Sequence, residues 1–204
     1  MGKFAVIFAE GGCSGGYSNE SATAAAPPRV VRVTRNDVLE IVDRDHVSRA
    51  EPRVSRVDEL WCDDSADDDT LGLLQQAYAG LPLIQISSVH ETTIFDRGTR
   101  SSSLVKRLSL LQRRPGLTRP LFCAYWRDVH APMASCHRHV ARYVQNHVVD
   151  DSGSSFDGIS EFRITDLDGM RADYDTDGAR AMKADVKNFA ATVSTYVVRE
   201  TSIR

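Results

Sequence analysis

The sequence predicts an α+β protein made of two tandem ferredoxin-like βαββαβ halves, residues 1–98 and 104–204, packed sheet to sheet. Three observations predict it. Residues 104–204 show strand-like and helix-like apolar spacing in the order β-α-β-β-α-β. Residues 1–98 run through the same order with one piece blurred. Between them lies the polar stretch DRGTRSSS, Asp96 to Ser103, a natural linker.

In the second half, Val105 to Leu111 is partly alternating and reads as a strand. Arg113 to Leu117 contains Pro-Gly and reads as a turn, and Thr118 is an N-cap residue with Pro120 tolerated in the first helical turn. Phe122, Trp126, Val129 and Met133 recur at helical spacing as a buried stripe widened by Tyr125, and Pro132 predicts a helix end near His130. Val140 to Val149 and Gly158 to Thr165 read as strands separated by the loop Asp150–Ser155. Gly178 to Ala190 reads as a helix burying Ala181, Met182, Val186 and Phe189, and Thr192 to Thr201 as the last strand.

The first half reads as strands over Lys3–Ala9, Val30–Val42, Val54–Cys62 and Ser87–Phe95, with a helix over Asp67–Tyr78 whose stripe is Leu71, Leu74, Ala77 and Tyr78. Residues 11–28, rich in Gly, Ser, Ala and Pro, occupy the place of the first helix. In each half a helix layer covers one sheet face. Packing the two bare faces together buries them and encloses a shared interior.

Composition narrows the function. With 42% hydrophobic and 26% charged residues the 204-residue chain is an ordinary soluble one, and its net charge of −3 argues against a nucleic-acid binder. No apolar run approaches the roughly 18 residues of a membrane span, the N-terminus lacks a signal-peptide core, and Val6 breaks a myristoylation pattern. Cys13, Cys62, Cys123 and Cys136 are scattered without CxxC, which suits free thiols in a reducing cytoplasm. No metal site is expected: His137-Arg138-His139 beside Cys136 lacks paired ligand spacing, and the acidic run Asp63–Asp69 lacks the calcium-loop Gly and Glu. GGCSGG, Gly11–Gly16, lacks the ending of a phosphate loop and reads as a flexible loop.

The segments LSLLQRRPGLT (Leu108–Thr118), FCAYWRDVHAP (Phe122–Pro132) and RYVQNHV (Arg142–Val148) come in the order and at the spacing of the EthD family, which the second half resembles. The first half matches in element order only and lacks the Tyr-Trp…His-Ala-Pro motif. The resemblance implies a dimeric-α+β-barrel-type fold, no cofactor, an apolar pocket inside each sheet, and an aromatic or polyketide-like substrate. The wider superfamily also has haem-binding branches.

His130 is either the motif's acid–base histidine or a cap on a helix C-terminus. Tyr143, Gln145 and His147 share one strand face, either around a pocket or toward solvent, and Asn146 replaces them if the register is opposite. In the pocket reading His147 transfers a proton and Tyr143 donates to an oxyanion. Trp126 is a core or substrate-wall residue. Arg107 anchors a substrate carboxylate or lies on the surface. His90, in a polar strand stripe, lines a partner pocket or is simply wetted, and His46 lies in a charged surface loop. The expected function is cofactor-independent acid–base catalysis by His130, His147 and Tyr143 on an aromatic or hydrophobic small molecule, of lyase type (dehydration or decarboxylation). The alternatives are a cofactor-free oxygenase or isomerase, a non-catalytic binding or accessory protein, and a haem-binding variant. No nucleic-acid or membrane partner is expected, and a homodimer is possible.

Overall fold

A computed structural model describes residues 2–9, 29–42, 53–63, 68–98, 105–149 and 154–203. The blurred region 11–28, with GGCSGG and Cys13, lies outside the described residues, as do His46 and parts of the linker, the acidic run and the loop after Val149. The strands are β1 (Gly2–Ala9), β2 (Val30–Val42), β3 (Val54–Cys62), β4 (Leu83–Asp96), β5 (Val105–Arg113), β6 (Val140–Val148), β7 (Gly158–Ile164) and β8 (Ala190–Ser202). The helices are α1 (Asp68–Ala77), α2 (Arg119–Tyr125), α3 (Leu167–Asp173) and α4 (Asp177–Asp185). Helix α3 has no counterpart in the sequence reading. No described helix is long and apolar enough to cross a membrane.

The eight strands form one closed antiparallel barrel in the order β1-β3-β2-β8-β5-β7-β6-β4. Each half supplies four neighbouring strands in the order fourth, first, third, second. This differs from two sheets merely stacked face to face. Hydrogen-bonded seams join the halves edge to edge, β2 to β8 through pairs such as Val38 with Val198, and β4 to β6 through pairs such as His90 with His147. Closure satisfies strand edges that two open sheets would leave exposed.

Closure also fixes which side of each strand looks inward. One end of the lumen is apolar, with Ala5, Ile7, Leu108, Leu110, Ile159 and Val198 packed together. The other end is ionic. Lys3 Nζ lies 2.7 Å from Glu59 Oε1 and 2.5 Å from Glu91 Oε2, and donates to Asn146 Oδ1 at 2.8 Å. Lys106 Nζ donates to Glu59 Oε2 and lies 3.2 Å from Glu161 Oε2 and 2.9 Å from Glu200 Oε2. Lys3, Glu59, Lys106 and Glu161 are all buried. Burial alone would raise the Glu59 carboxyl, but Lys106 and Lys3 outweigh it and hold the group well below the usual range. Glu161 moves the other way, raised by burial and by its neighbour Glu59.

The outer faces carry the helices. Helix α1 lays Leu71, Leu74, Ala77 and Tyr78 on Phe4, Val6, Phe8 and Leu60. On the second half, Thr118 caps α2 by accepting from the Leu121 N–H at 3.4 Å. The preceding turn places Gly116 at φ +90°, the left-handed position that follows proline in a type II turn. Helix α2 does not end near His130. Pro132 has no N–H for the Asp128 carbonyl, and its ring would press on that oxygen. The helix instead widens into a π-turn over Trp126–His130, where Ala131 N–H bonds the Trp126 carbonyl, and continues through Ala131–Met133 and Ala134–Cys136. The extra residue rotates the later turns. Phe122 and Trp126 are buried as expected, whereas Val129 is 47% exposed. On α4, Ala179 is buried in place of Ala181.

Replacing Glu59 tests the ionic end. Glu59→Gln leaves two buried ammonium groups without their shared carboxylate, so the denaturant midpoint falls, by about 3–5 kcal/mol of stability. A loss below about 1 kcal/mol counts against the cluster as a barrel constraint.

Candidate active site

The helix layer of the second half leaves a half-open cavity of about 40 Å³ against the outer face of β5, β6, β7 and β8. It lies between helices and sheet, not in the barrel lumen. Its walls combine Trp126, Phe162, Phe189, Met182 and Val186 with Arg107, Ser109, His130, His137, Tyr143 and Ser160, so it is a mixed pocket and not the apolar one expected. A haem does not fit among the side chains as they stand, because buried aromatic rings fill the layer around the cavity.

His130 is not a helix cap. It sits inside the continuous helix, 5% exposed, with its ring 4.7 Å from that of Phe189. Its Nδ1 is 2.8 Å from Asp185 Oδ2. Asp185 also accepts from Tyr125 Oη at 2.7 Å and Asn188 Nδ2 at 2.9 Å. Burial would raise the Asp185 pKa, but the hydrogen bonds from Tyr125, Asn188 and His130 outweigh it and hold the carboxyl below its usual range. The sequence reading misses Asp185, which is 55 residues from His130 in the chain and has no spacing signal.

Tyr143, Gln145 and His147 lie on the helix-facing side of β6 and are all buried. The Tyr143 oxygen accepts from Trp126 Nε1 at 3.1 Å and Gln145 Nε2 at 2.8 Å. With these donors on its oxygen, the phenol keeps its own proton for a further acceptor. Burial pushes Tyr143 up to about 12, so the phenol is a donor at neutral pH. Gln145 Nε2 also donates to the Trp126 carbonyl at 3.1 Å, the carbonyl of the π-turn. The Gln145 Oε1 must then accept, and His147 Nε2 donates to it at 3.1 Å.

Of the eight residues singled out in the sequence, Arg107, Trp126, His130 and Tyr143 line the cavity. Gln145 and His147 reach it only through hydrogen bonds. Burial, then repulsion from His90 and Arg127, lowers His147 to about 4, leaving a neutral ring whose Nδ1 has no hydrogen-bond partner among the described residues. Asn146 is on the other face, held in the lumen by Lys3. His90 is exposed and lines no part of this cavity. Arg107 is not a surface residue. It is 6% exposed, with its guanidinium over the Phe162 ring at 4.5 Å and the Tyr174 ring at 5.6 Å. Ser160 and Tyr174 join the site without having been singled out, and His137, weighed in the sequence only as a metal ligand, joins it too. Among the described residues no cluster of His, Cys, Asp or Glu is arranged to hold a metal ion.

Residues 114–192 match the EthD domain family model. No curated protein sequence matches the chain significantly. Among solved structures, an anthrone oxidase-like protein is similar at 11% identity and TM-score 0.57, covering 98% of this chain and 92% of its own. A candidate monooxygenase from Fusobacterium nucleatum aligns at 9% identity and TM-score 0.56, with 98% and 93% covered. A dye-decolorizing peroxidase from Bacteroides thetaiotaomicron aligns at 6% identity and TM-score 0.51, with 97% and 92% covered. These likenesses span both halves and establish the fold.

Two stability measurements check this geometry. A Cβ on Gly158 would lie 2.4 Å from Trp126 Cζ3, so Gly158→Ala displaces the indole and costs about 1–3 kcal/mol, while an unchanged midpoint excludes the close approach. His147 is neutral in the folded state down to about pH 4 but ionises near its ordinary 6.5 when unfolded. The unfolded state therefore binds more protons between these values, and its contribution is lost as pH falls from about 6.5 to 4. Asp58, raised by burial to about 6, works in the opposite sense over the same range. Comparing wild type with His147→Gln cancels Asp58: the wild type loses up to about 1.4 kcal/mol more per pH unit, and identical pH profiles refute the assignment.

Proposed function

We propose, on the premise that residues 114–192 match the EthD domain model, that the protein is a small-molecule enzyme working by proton transfer in the helix–sheet cavity. One observation carries the reading. A carboxylate-held histidine and a phenol whose oxygen already accepts two hydrogen bonds line the same cavity. His130, oriented through Nδ1 by Asp185, is the acid–base residue and exchanges a proton through Nε2. Tyr143 donates to an oxyanion developing on the substrate. His147 is assigned a positioning role, fixing the Gln145 amide and through it Tyr143, because it lies behind Gln145 and is a weak base.

The reaction class that needs no more than these groups is dehydration or decarboxylation of an aromatic or otherwise hydrophobic substrate without a cofactor. A cofactor-free oxygenase is the second reading, favoured by the anthrone oxidase-like and monooxygenase-related folds. The proposal includes two ferredoxin-like halves, 1–98 and 104–204, the first a degenerate EthD-like copy. The repeated strand order supports this. It also includes a cytoplasmic setting, in keeping with the free thiols of Cys123 and Cys136. A homodimer remains part of the reading, although the barrel closes within one chain.

The test is turnover of β-hydroxy aryl ketones, which can lose water, and of hydroxyaryl carboxylates, which can lose carbon dioxide, by the purified protein, followed by mass spectrometry with and without oxygen. Loss of water or carbon dioxide independent of oxygen supports the lyase reading, and turnover only in oxygen selects the second. His130→Gln is expected to slow turnover by about 10²–10⁴-fold and Tyr143→Phe by about 10²–10³-fold, the latter with a lowered Tm as well because Trp126 Nε1 and Gln145 Nε2 lose their acceptor. Binding without turnover, or turnover indifferent to both substitutions, leaves a non-catalytic binding protein.

A further inference from the structure

We propose that Tyr125 is a positioning residue for His130: its phenol fixes the Asp185 carboxylate that orients the imidazole, and so sets both the tautomer and the basicity of the ring. The proposal rests on the reading of His130 as the acid–base residue and adds the group that tunes it.

The two oxygens of Asp185 have separate tasks. Oδ2 faces His130 Nδ1 at 2.8 Å. Oδ1 accepts from Tyr125 Oη at 2.7 Å and from Asn188 Nδ2 at 2.9 Å. Asn188 Nδ2 also donates to the Tyr125 oxygen at 3.3 Å, so phenol, amide and carboxylate close a small ring of hydrogen bonds. A carboxylate held at one oxygen by two donors cannot turn its other oxygen away from the imidazole without breaking them. His130 therefore keeps a proton on Nδ1, and the lone pair of the neutral ring is on Nε2.

The chain builds this clamp from two short segments. Tyr125 and His130 lie five residues apart on one helix, a spacing that a regular α-helix sets about 140° apart around its axis. The π-turn over Trp126–His130 lies between them, and both side chains meet the same carboxylate. The Phe189 ring holds the spacing: it stacks on Tyr125 at 5.6 Å and lies 4.7 Å from the His130 ring. Asp185 and Asn188 come from the end of α4 and the single 3₁₀ turn Val186–Asn188 that follows it.

Tyr125 also moderates the charge that His130 meets. A hydrogen bond to a carboxylate favours its charged form and draws electron density from it. The Tyr125 phenol is raised above its ordinary value, chiefly by this bond, so the proton stays on Oη and the donor persists at neutral pH. With two donors on Oδ1, Asp185 attracts an imidazolium less than a carboxylate without them, which lets Nε2 release a proton as well as take one. The other titratable or charged groups around the cavity are Arg107 from β5, Tyr143 from β6, His137 and Tyr174 from helix ends, and Lys183 from α4. Removing the Tyr125 hydroxyl alone leaves all of these in place.

The test is imidazole nitrogen NMR of the intact, isotope-labelled protein, with the His130 signal assigned by its loss in His130→Gln. The neutral wild-type ring is expected in the Nδ1–H form. Tyr125→Phe keeps the stack on Phe189 and removes the donor. It is expected to raise the His130 titration midpoint by about half a pH unit, roughly a threefold gain in basicity, and to move the limb of the turnover–pH profile that follows His130 by the same amount. Asn188→Ala, on the exposed side of Asp185, is expected to move the midpoint in the same direction by less, and serves where Tyr125→Phe fails to fold. A midpoint and tautomer unchanged in both variants overturns the inference, even where Tm falls, and leaves His130 as the acid–base residue. Turnover indifferent to His130→Gln overturns both.

Discussion

Glu59 carries the constraint on which the rest of the barrel depends. Its two carboxylate oxygens are held by Lys3 from β1 and Lys106 from β5, so one side chain ties the first half to the second across the lumen. A buried ion pair of this kind adds little net stability over a hydrophobic core of the same volume. What it supplies is register. A one-residue slip of β1 or β5 would turn an ammonium out of the lumen and leave Glu59 buried with only one of its two cationic partners. The two hydrogen-bonded seams, β2 with β8 and β4 with β6, are thereby fixed in the pairing that closes the barrel.

Fixing β5, β6 and β7 in register also fixes the cavity on their outer face. When Lys106, Asn146 and Glu161 point inward, Arg107, Tyr143, Gln145 and Ser160 must point to the helices, because neighbours along a strand alternate. Trp126 then connects the two layers. Its indole N–H bonds Tyr143, its backbone carbonyl is bonded by Gln145, and its ring lies over Gly158, where any Cβ would collide. The π-turn is therefore part of the site and not a local defect. Widening the helix at Trp126 carries the chain past Pro132 while turning His130 toward Asp185 and the cavity.

Most of the strand architecture was legible in the sequence. The bounds of β2 and β3 follow the apolar alternation to the residue, and Thr118 caps α2 where its side chain predicts. Three things were not legible, each for a physical reason. Charged residues at alternating strand positions read as solvent-facing, so Glu161 beside Ile159 gave no sign of a lumen; only closure makes that face an interior. Both faces of β6 are buried, so the alternation of Tyr143, Gln145 and His147 with Val144, Asn146 and Val148 leaves in and out undetermined, and mutual hydrogen bonding permits the polar set to be buried. Pro132 was read by the general rule that proline stops a helix, and periodicity at 3.6 residues has no means of announcing one widened turn. Val129 was misplaced as a result.

The same alternation accounts for the unequal chemistry of the two outer faces. In the first half, β1 presents Phe4, Val6 and Phe8 to α1, and Leu60 and Tyr78 complete a packed layer. The corresponding first strand of the second half, β5, presents Arg107, Ser109 and Leu111. Three large apolar side chains against one arginine, one serine and one leucine make the difference between a filled layer and a cavity with donors in its wall. The polar residues under α2 would each be costly alone, but they satisfy one another in a chain from His147 through Gln145 and Tyr143 to Trp126. A network of that kind has few alternative arrangements: changing the donor or acceptor sense at His147 would reverse the Gln145 amide and remove a donor from Tyr143. The second donor to the Tyr143 oxygen, on which the proposed chemistry depends, is thus held in place by a buried histidine that lines no part of the cavity.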